Sequence, residues 1–227
     1  MKHIMFYMTL NYPNNERFFE ILEALSNEGV TYLELGIPVE NPFMDGEIIQ
    51  QSHDTVLKNG LKQAELIEVL KQIKEKFNFK IILMTYYAGV EKYDLLSHEN
   101  LYDGLLCVDK SLTKKDLNKP IQLYPPKMDG LKMKEKLQNN ETFAYVISGE
   151  GKTGSFDDVP TDYVDTIKNI RKFSDIPAFV GFGIKTKEDA ETVFNNDADG
   201  VIIGTALMKE YIEGGIPGIK DYLKTFK

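Results

Sequence analysis

Short apolar runs alternate with longer amphipathic stretches along the whole chain, and this alternation predicts strands and helices in turn. The short runs are rich in β-branched and aromatic residues, which pack well on a pleated surface. Eight runs are predicted as strands, over residues 4–10, 31–37, 79–87, 103–108, 121–124, 142–148, 178–184 and 199–204. In most of the gaps between them, apolar residues recur at intervals of three and four, which is the spacing of an amphipathic helix.

The ends of the predicted helices carry matching local signals. Asn14, Thr161 and Thr186 stand at positions where N-caps are expected, and Gly29 and Gly60 stand where helices should end. Capping and periodicity therefore agree on where the helices lie.

Eight strand–helix units predict an α/β fold in which a parallel sheet closes into a single (β/α)8 TIM barrel. An open, doubly wound sheet is the alternative. Residues 110–119, between the fourth and fifth strands, leave room for little more than one helical turn, so we expect a shortened crossover there. No linker, low-complexity segment or charge block divides the chain, and we expect one domain over residues 1–227.

Composition excludes several kinds of protein. Cys107 is the only cysteine, and the three histidines do not pair at a spacing of four, so we expect no disulfide scaffold and no metal site. The 27 Lys and Arg against 35 Asp and Glu give a net charge of −8, which argues against nucleic acid as a partner.

Membrane insertion and secretion are also disfavoured. The first residues lack a small-residue cleavage site, and no apolar run approaches the roughly 20 residues that span a bilayer. We therefore expect a cytoplasmic protein with no membrane association.

The second predicted strand places a carboxylate inside the barrel. Leu33 and Leu35 share one face, so Tyr32, Glu34 and Gly36 share the other, which faces the lumen. A lumen carboxylate is costly and usually functional. The alternative is a slipped register that brings Glu34 near solvent.

The sixth predicted strand places Tyr145 in the lumen beside Phe143 and Ile147. A buried tyrosine needs a partner for its hydroxyl group. The alternative for Tyr145 is an ordinary aromatic core position.

Glycine-rich stretches follow three strands, at residues 148–154, 181–183 and 204–205. Exposed backbone N–H groups at such places bind phosphate, and the ends of strands seven and eight are the usual phosphate site of barrel enzymes. Turn formation alone is the alternative explanation.

Residues 33–50 read LELGIPVENPFMDGEIIQ and resemble the tryptophan synthase alpha subunit family, whose segment reads E-L-G-I-P, then S-D-P, then A-D-G-P-T-I-Q. The similarity continues through residues 83–87, 103–106, 124–126, 145, 153–154, 181–184 and 199–204. It implies a lyase of tryptophan biosynthesis that cleaves indole-3-glycerol phosphate to indole and glyceraldehyde 3-phosphate.

The resemblance places the catalytic glutamate at Glu34 and the aspartate that faces the indole N–H at Asp45. Cleavage needs a proton on indole C3, which a lumen carboxyl with a raised pKa can supply. Positive charge then spreads toward the ring nitrogen, where an ionised Asp45 stabilises it. The alternative for Asp45 is an N-cap for the helix that starts at Gly46.

The resemblance also assigns the remaining site positions. The expected substrate-binding residues are Tyr7, Tyr145, Thr153 and Phe182, of which Tyr7 and Phe182 have core packing as their alternative. The expected phosphate-binding residues are Gly154, Gly183, Gly204 and Thr205.

Family membership would imply a tryptophan synthase beta subunit as partner, in an alpha2beta2 heterotetramer, with pyridoxal phosphate in that subunit and no cofactor in this chain. Departures from the family pattern at Asn41, Glu47, Ala88 and Lys110 lie in segments expected to contact the partner. The helix that usually precedes the first strand is also expected to be missing.

Two further functions stay open at this stage. One is a weakly active or non-catalytic phosphate-binding partner that activates a beta subunit. The other is a different phosphate-binding barrel enzyme, an isomerase acting on a sugar phosphate.

Overall fold

The computed structural model describes residues 2–149 and 159–227. The described residues form eight parallel strands that pair in chain order, and the last strand pairs with the first. The strands are β1 (His3–Thr9), β2 (Tyr32–Gly36), β3 (Lys80–Thr85), β4 (Gly104–Cys107), β5 (Pro120–Tyr124), β6 (Ala144–Ile147), β7 (Ala178–Gly181) and β8 (Gly200–Ile203). The predicted TIM barrel is confirmed, and the open sheet is excluded.

Two predicted strands extend more than one residue too far at their carboxyl ends. The third was predicted to residue 87, but Tyr87 already begins a helix. The seventh was predicted to residue 184, but Phe182 and Gly183 have φ angles of 79° and 80°. A left-handed backbone cannot continue a strand, so the chain turns there.

Helices surround the barrel and connect most of its strands. They are α1 (Asn15–Asn27), α2 (Glu47–Lys58), α3 (Gln63–Lys76), α4 (Tyr87–Lys92), a 3-10 helix (Leu95–Leu101), α5 (Gly130–Gln138), α6 (Asp162–Arg171), α7 (Lys187–Asn195) and α8 (Thr205–Lys224), which is broken at Gly215. None of the helices in the described ranges has the length and apolar character that a membrane span requires.

The predicted helix ends agree with these bounds. The Asn14 side chain accepts from the Arg17 backbone N–H, and Thr186 forms a reciprocal capping box with Asp189. Thr161 occupies the N-cap position of α6 without a capping hydrogen bond from its side chain. Gly29 has a φ of 86°, which ends α1 in the left-handed turn that glycine tolerates best.

The connection between β4 and β5 runs over residues 108–119, all described, and contains turns but no helix. Two helices, α2 and α3, instead follow β2. The α2 helix packs against β1 and α8. Its first turn lies beside the carboxyl end of the barrel lumen, because Ile48 and Ile49 line the cavity there.

Aromatic side chains fill the lower part of the lumen. The rings of Phe143 and Phe179 stack with centroids 4.4 Å apart, and the Tyr32 ring lies 5.6 Å from Phe179. Above this layer, a cavity lies toward the carboxyl ends of the strands, where barrel enzymes bind their substrates.

Candidate active site

Glu34 lies in the barrel lumen, opposite Tyr7 of β1 and Ile82 of β3 in the strand register. It is 1% exposed, and its Oε1 atom has no hydrogen-bond partner among the described residues. Burial, with a smaller contribution from the charge of Asp45, raises the pKa of Glu34 to about 8. The slipped register is therefore wrong, and Glu34 is a carboxylic acid that stays protonated at neutral pH.

A cavity of about 540 Å³ opens above Glu34. Tyr7, Tyr145 and Phe182 line it together with Glu34, so four residues predicted from the sequence meet at one place. Burial, with a smaller contribution from the charge of Glu34, raises the pKa of the Tyr145 hydroxyl well above its usual value. Tyr145 is thus a neutral phenol beside the acid.

The far end of the same cavity is lined by Gly183, Gly204 and Thr205. Gly204 is the N-cap residue of α8, whose first N–H groups point out of the helix toward the cavity end. Gly183 has a φ of 80°, and the Ser148 hydroxyl donates to the Phe182 carbonyl at 2.7 Å, which fixes this turn. Backbone donors and a helix N-terminus at one place suit a phosphate group.

Asp45 lies in the loop between β2 and α2 and is 2% exposed. The Tyr86 hydroxyl donates to Asp45 Oδ2 at 2.8 Å and accepts from the Met44 N–H at 3.0 Å. The N-cap of α2 is Gly46, without a side-chain capping bond, so the alternative role of Asp45 as helix cap is wrong. The carboxylate is instead oriented by Tyr86, the residue that follows β3.

Asp45 does not line the main cavity itself. It lines a small adjoining space whose walls include Met84, Tyr145 and Phe182, and these three residues also line the main cavity. Asp45 therefore lies next to the main cavity, and Met84, Tyr145 and Phe182 are shared by the two spaces. The predicted site residues Thr153 and Gly154 lie outside the described residues.

Sequence reasoning missed three residues of this site: Gly36, His53 and Tyr86. A Cβ atom on Gly36 would lie 2.0 Å from Tyr7 Oη, so only glycine leaves room for that hydroxyl. The alternation of β2 already placed Gly36 on the lumen face, which was the available signal. His53 and Tyr86 gave none, because their partners belong to distant parts of the chain.

Within residues 2–149 and 159–227, no three His, Cys, Asp or Glu side chains cluster as metal ligands would. The chemistry available is proton transfer from a buried acid to a ligand held by its phosphate at the other end of the cavity.

The fold and the site together define a (β/α)8-barrel enzyme that applies acid–base chemistry to a phosphate ester. The model of the tryptophan synthase alpha chain family matches residues 1–221. The chain belongs to this family.

Individual relatives and solved structures also indicate this family. The chain is 31% identical to a tryptophan synthase alpha chain from Alkaliphilus metalliredigens, over 95% of this chain and 85% of that one. It is also 31% identical to one from Thermococcus kodakarensis, over 89% of this chain and 86% of the relative. The structure of the tryptophan synthase α2β2 complex from Pyrococcus furiosus includes a chain that matches with a TM-score of 0.85 and 28% identity, over 99% of this chain and 97% of that one.

Members of this family are carbon–carbon lyases of tryptophan biosynthesis that cleave indole-3-glycerol phosphate, and this is the function of the chain. The alternative of a sugar-phosphate isomerase is therefore excluded.

Proposed function

We propose that Glu34 is the general acid that protonates indole C3 in the cleavage of indole-3-glycerol phosphate. The observation that carries this proposal is a carboxyl group 1% exposed, facing the cavity, with a pKa raised to about 8 mainly by burial. Protonation makes C3 a better leaving group. The bond to the glycerol carbon then breaks, and its electrons return to the ring.

The glycerol hydroxyl must lose its proton as the aldehyde forms. In the proposal this proton passes to the Glu34 carboxylate formed in the first step, which regenerates the acid for the next turnover. Burial favours this return, because it makes the Glu34 carboxylate more basic than an exposed one.

Asp45 is proposed to stabilise the positive charge that develops on the indole N–H. A fixed carboxylate contributes most in the transition state when its orientation costs nothing during the reaction. The 2.8 Å hydrogen bond from Tyr86 provides this orientation.

The cavity walls are proposed to hold the substrate at both ends. Tyr7, Tyr145 and Phe182 would contact the indole ring, and the backbone at Gly183, Gly204 and Thr205 would bind the phosphate. Thr153 and Gly154 keep their predicted roles at the substrate and the phosphate as part of the same proposal.

A tryptophan synthase beta subunit carrying pyridoxal phosphate is the proposed partner, in an alpha2beta2 heterotetramer. Asn41, Glu47, Ala88 and Lys110 are all exposed on loops and helix starts at the carboxyl end of the barrel. Phe43, which is 49% exposed, lies among them and gives the surface an apolar centre. We place the reaction in the cytoplasm, because phosphorylated intermediates are retained there.

The test is the release of indole from indole-3-glycerol phosphate by the purified chain, measured with and without the beta subunit. Indole formation that Glu34→Gln abolishes supports the lyase mechanism. Tight binding of the substrate with no indole in either condition would instead favour a non-catalytic partner that activates a beta subunit.

A further inference from the structure

The phosphate end of the cavity carries ionised side chains in addition to the backbone donors described above. Beside Gly204 and Thr205, its wall includes Lys185, Lys209 and Glu210. A phosphate ester carries about 1.5 to 2 negative charges at pH 7, whereas a helix N-terminus supplies only about half of a positive charge. How strongly this end of the cavity binds a dianion therefore depends on the balance of these three side chains.

Lys185 lies at a fixed position in the loop after β7, two residues beyond the turn at Gly183. Its backbone N–H donates to Asp189 Oδ2 at 2.8 Å, and the Tyr222 hydroxyl donates to its carbonyl group. The residue is half-buried and lines the cavity. Because both hydrogen bonds hold the backbone, the base of the Lys185 side chain is fixed beside the phosphate end, and exchanging that side chain leaves both bonds in place.

Lys209, the other lysine of the wall, is less suited to hold an anion. Its side chain is 60% exposed, and its Nζ atom lies 3.7 Å from Glu213 Oε1, one turn further along α8. Water therefore screens its charge, and a carboxylate already shares it. Glu210 adds a negative charge to the same wall. Without Lys185, the described part of this wall would offer a dianion no net positive charge.

The acid beside Lys185 on α7 is stabilised by the backbone. Asp189 Oδ2 accepts from the N–H groups of Lys185 and Thr186, at 2.8 Å and 2.9 Å, as part of the capping box of α7. These two donors fix the Asp189 carboxylate at the start of its own helix, where the helix dipole favours a negative charge. Asp189 thus has its own donors below the loop, and it does not line the cavity.

We propose that Lys185 determines the specificity of the cavity for a dianionic phosphate ester, because its ammonium group pairs with the phosphate of the substrate. The backbone donors bind any oxyanion, whereas the attraction of Lys185 grows with the charge of the ligand. The phosphate does not react, so this attraction is equal in the bound substrate and in the transition state, and it lowers KM without raising kcat. The inference rests on the phosphate site proposed above.

Binding of two ligands of different charge to Lys185→Gln tests the proposal. Glycerol 3-phosphate, the reduced form of the product, is a dianion at about pH 7.5, and glycerol 3-sulfate has the same shape with a single charge. By calorimetry, we expect Lys185→Gln to raise the Kd of the phosphate about tenfold and the Kd of the sulfate only about threefold, since halving the charge halves the attraction. Lys185→Arg keeps the charge and should keep the wild-type preference for phosphate.

Steady-state kinetics give a second readout. Lys185→Gln should raise KM for indole-3-glycerol phosphate about tenfold and leave kcat within about twofold. Lys187→Gln is the matched control, because Lys187 does not line the cavity and its Nζ donates to the Lys227 carbonyl at 2.7 Å. Lys187→Gln should leave KM, kcat and both dissociation constants unchanged. A fall in kcat at constant KM in Lys185→Gln would overturn the proposal.

Equal losses for phosphate and sulfate, or no loss for either, would also overturn it. Lys185→Met removes the charge but keeps the apolar stem, and it decides the matter if Lys185→Gln does not fold. Thr205→Asp separates the two proposals, because a carboxylate at the start of α8 should abolish binding of both ligands. Unchanged binding to Thr205→Asp would show that the phosphate site is wrong. If Thr205→Asp abolishes binding while Lys185→Gln keeps wild-type affinities, only the inference about Lys185 fails.

Discussion

Tyr86 on the β3 side of the barrel holds Asp45 of the β2–α2 loop through a hydrogen bond of 2.8 Å from its hydroxyl to Oδ2. The ring of Phe43, two residues before Asp45 along the chain, packs on Tyr86 with centroids 5.1 Å apart. The loop that carries the second carboxylate of the site thus contacts Tyr86, just after β3, at two points.

Removing the Tyr86 hydroxyl should release Asp45 without taking away its charge. A hydrogen bond to a charged group contributes about 1.5–3 kcal/mol, so we expect Tyr86→Phe to lower kcat/KM for indole formation by roughly 10–100-fold. Tyr87→Phe is the matched control, because Tyr87 packs against Lys110 and not against Asp45. Equal rates for the two variants would show that Asp45 needs no support from Tyr86.

Replacing the proposed acid should separate binding from turnover. Glu34→Gln keeps the shape of the side chain but cannot give up a proton, so we expect unchanged substrate affinity and turnover about 10²–10⁴-fold lower. In the wild type, kcat/KM should fall as the pH rises through about 8, where Glu34 loses its proton. Turnover of the Gln variant within tenfold of wild type would remove Glu34 from the mechanism.

The same carboxyl group should make folding stability depend on pH. The pKa of Glu34 is raised from 4.5 to about 8, so below pH 4.5 both folded and unfolded chains are protonated. Between these values only the unfolded chain ionises, and the free energy of unfolding falls by about 1.4 kcal/mol per pH unit from this group alone. Above pH 8 the loss is complete.

The Glu34→Gln variant should not show this pH-dependent fall in the free energy of unfolding, because glutamine does not ionise. We expect its melting temperature to exceed that of the wild type by a margin that grows from pH 5 to pH 8, because all other groups titrate alike in both proteins. A margin that stays constant with pH would mean that Glu34 has an ordinary pKa in the folded protein.

Gly36 should tolerate no side chain. A Cβ atom there would lie 2.0 Å from Tyr7 Oη and 2.5 Å from Cζ, so Tyr7 has to move. Overpacking of this kind costs about 1–3 kcal/mol, and we expect Gly36→Ala to lower the melting temperature and raise KM. Gly130→Ala is the control, because nothing lies within 4 Å of a Cβ at that helix start. A Gly36→Ala protein as stable and active as the control would contradict the packing described for Tyr7.

The partner surface should distinguish one beta subunit from another. An unpaired charge buried at an interface costs several kcal/mol, so residues on a cognate beta subunit should match Lys110 and Glu47. We expect a cognate beta subunit to stimulate indole formation more than one from a distant species.

Charge reversal provides a sharper form of this test. Lys110→Glu should weaken stimulation by the cognate subunit and leave the rate of the isolated chain within about twofold, since exposed charges act weakly at a distance. Lys134→Glu, on the exposed side of α5, should change neither. Equal stimulation of both variants would place Lys110 outside the interface.

Much of the fold could be predicted because strand and helix periodicity are local properties. The alternation of Leu33 and Leu35 with Glu34 was enough to put one carboxylate in the lumen, and the glycines after β7 and β8 marked positions that line the cavity. Strand ends were predicted less accurately. The strand predicted to residue 184 ends earlier, because the barrel requires a turn with a left-handed backbone at Phe182.

Which side chains meet was decided only by the tertiary structure. His53 is 46 residues from Tyr7, and Tyr86 is 41 residues from Asp45, so neither contact leaves a trace in local spacing. Both depend on how the strands are staggered around the barrel and on where α2 packs against β1. The sequence alone thus placed Glu34 in the lumen of a closed barrel. The hydrogen bonds of Tyr7 and Asp45 are set by tertiary packing, because a hydrogen bond needs two atoms within about 3 Å and only the closed barrel brings them there.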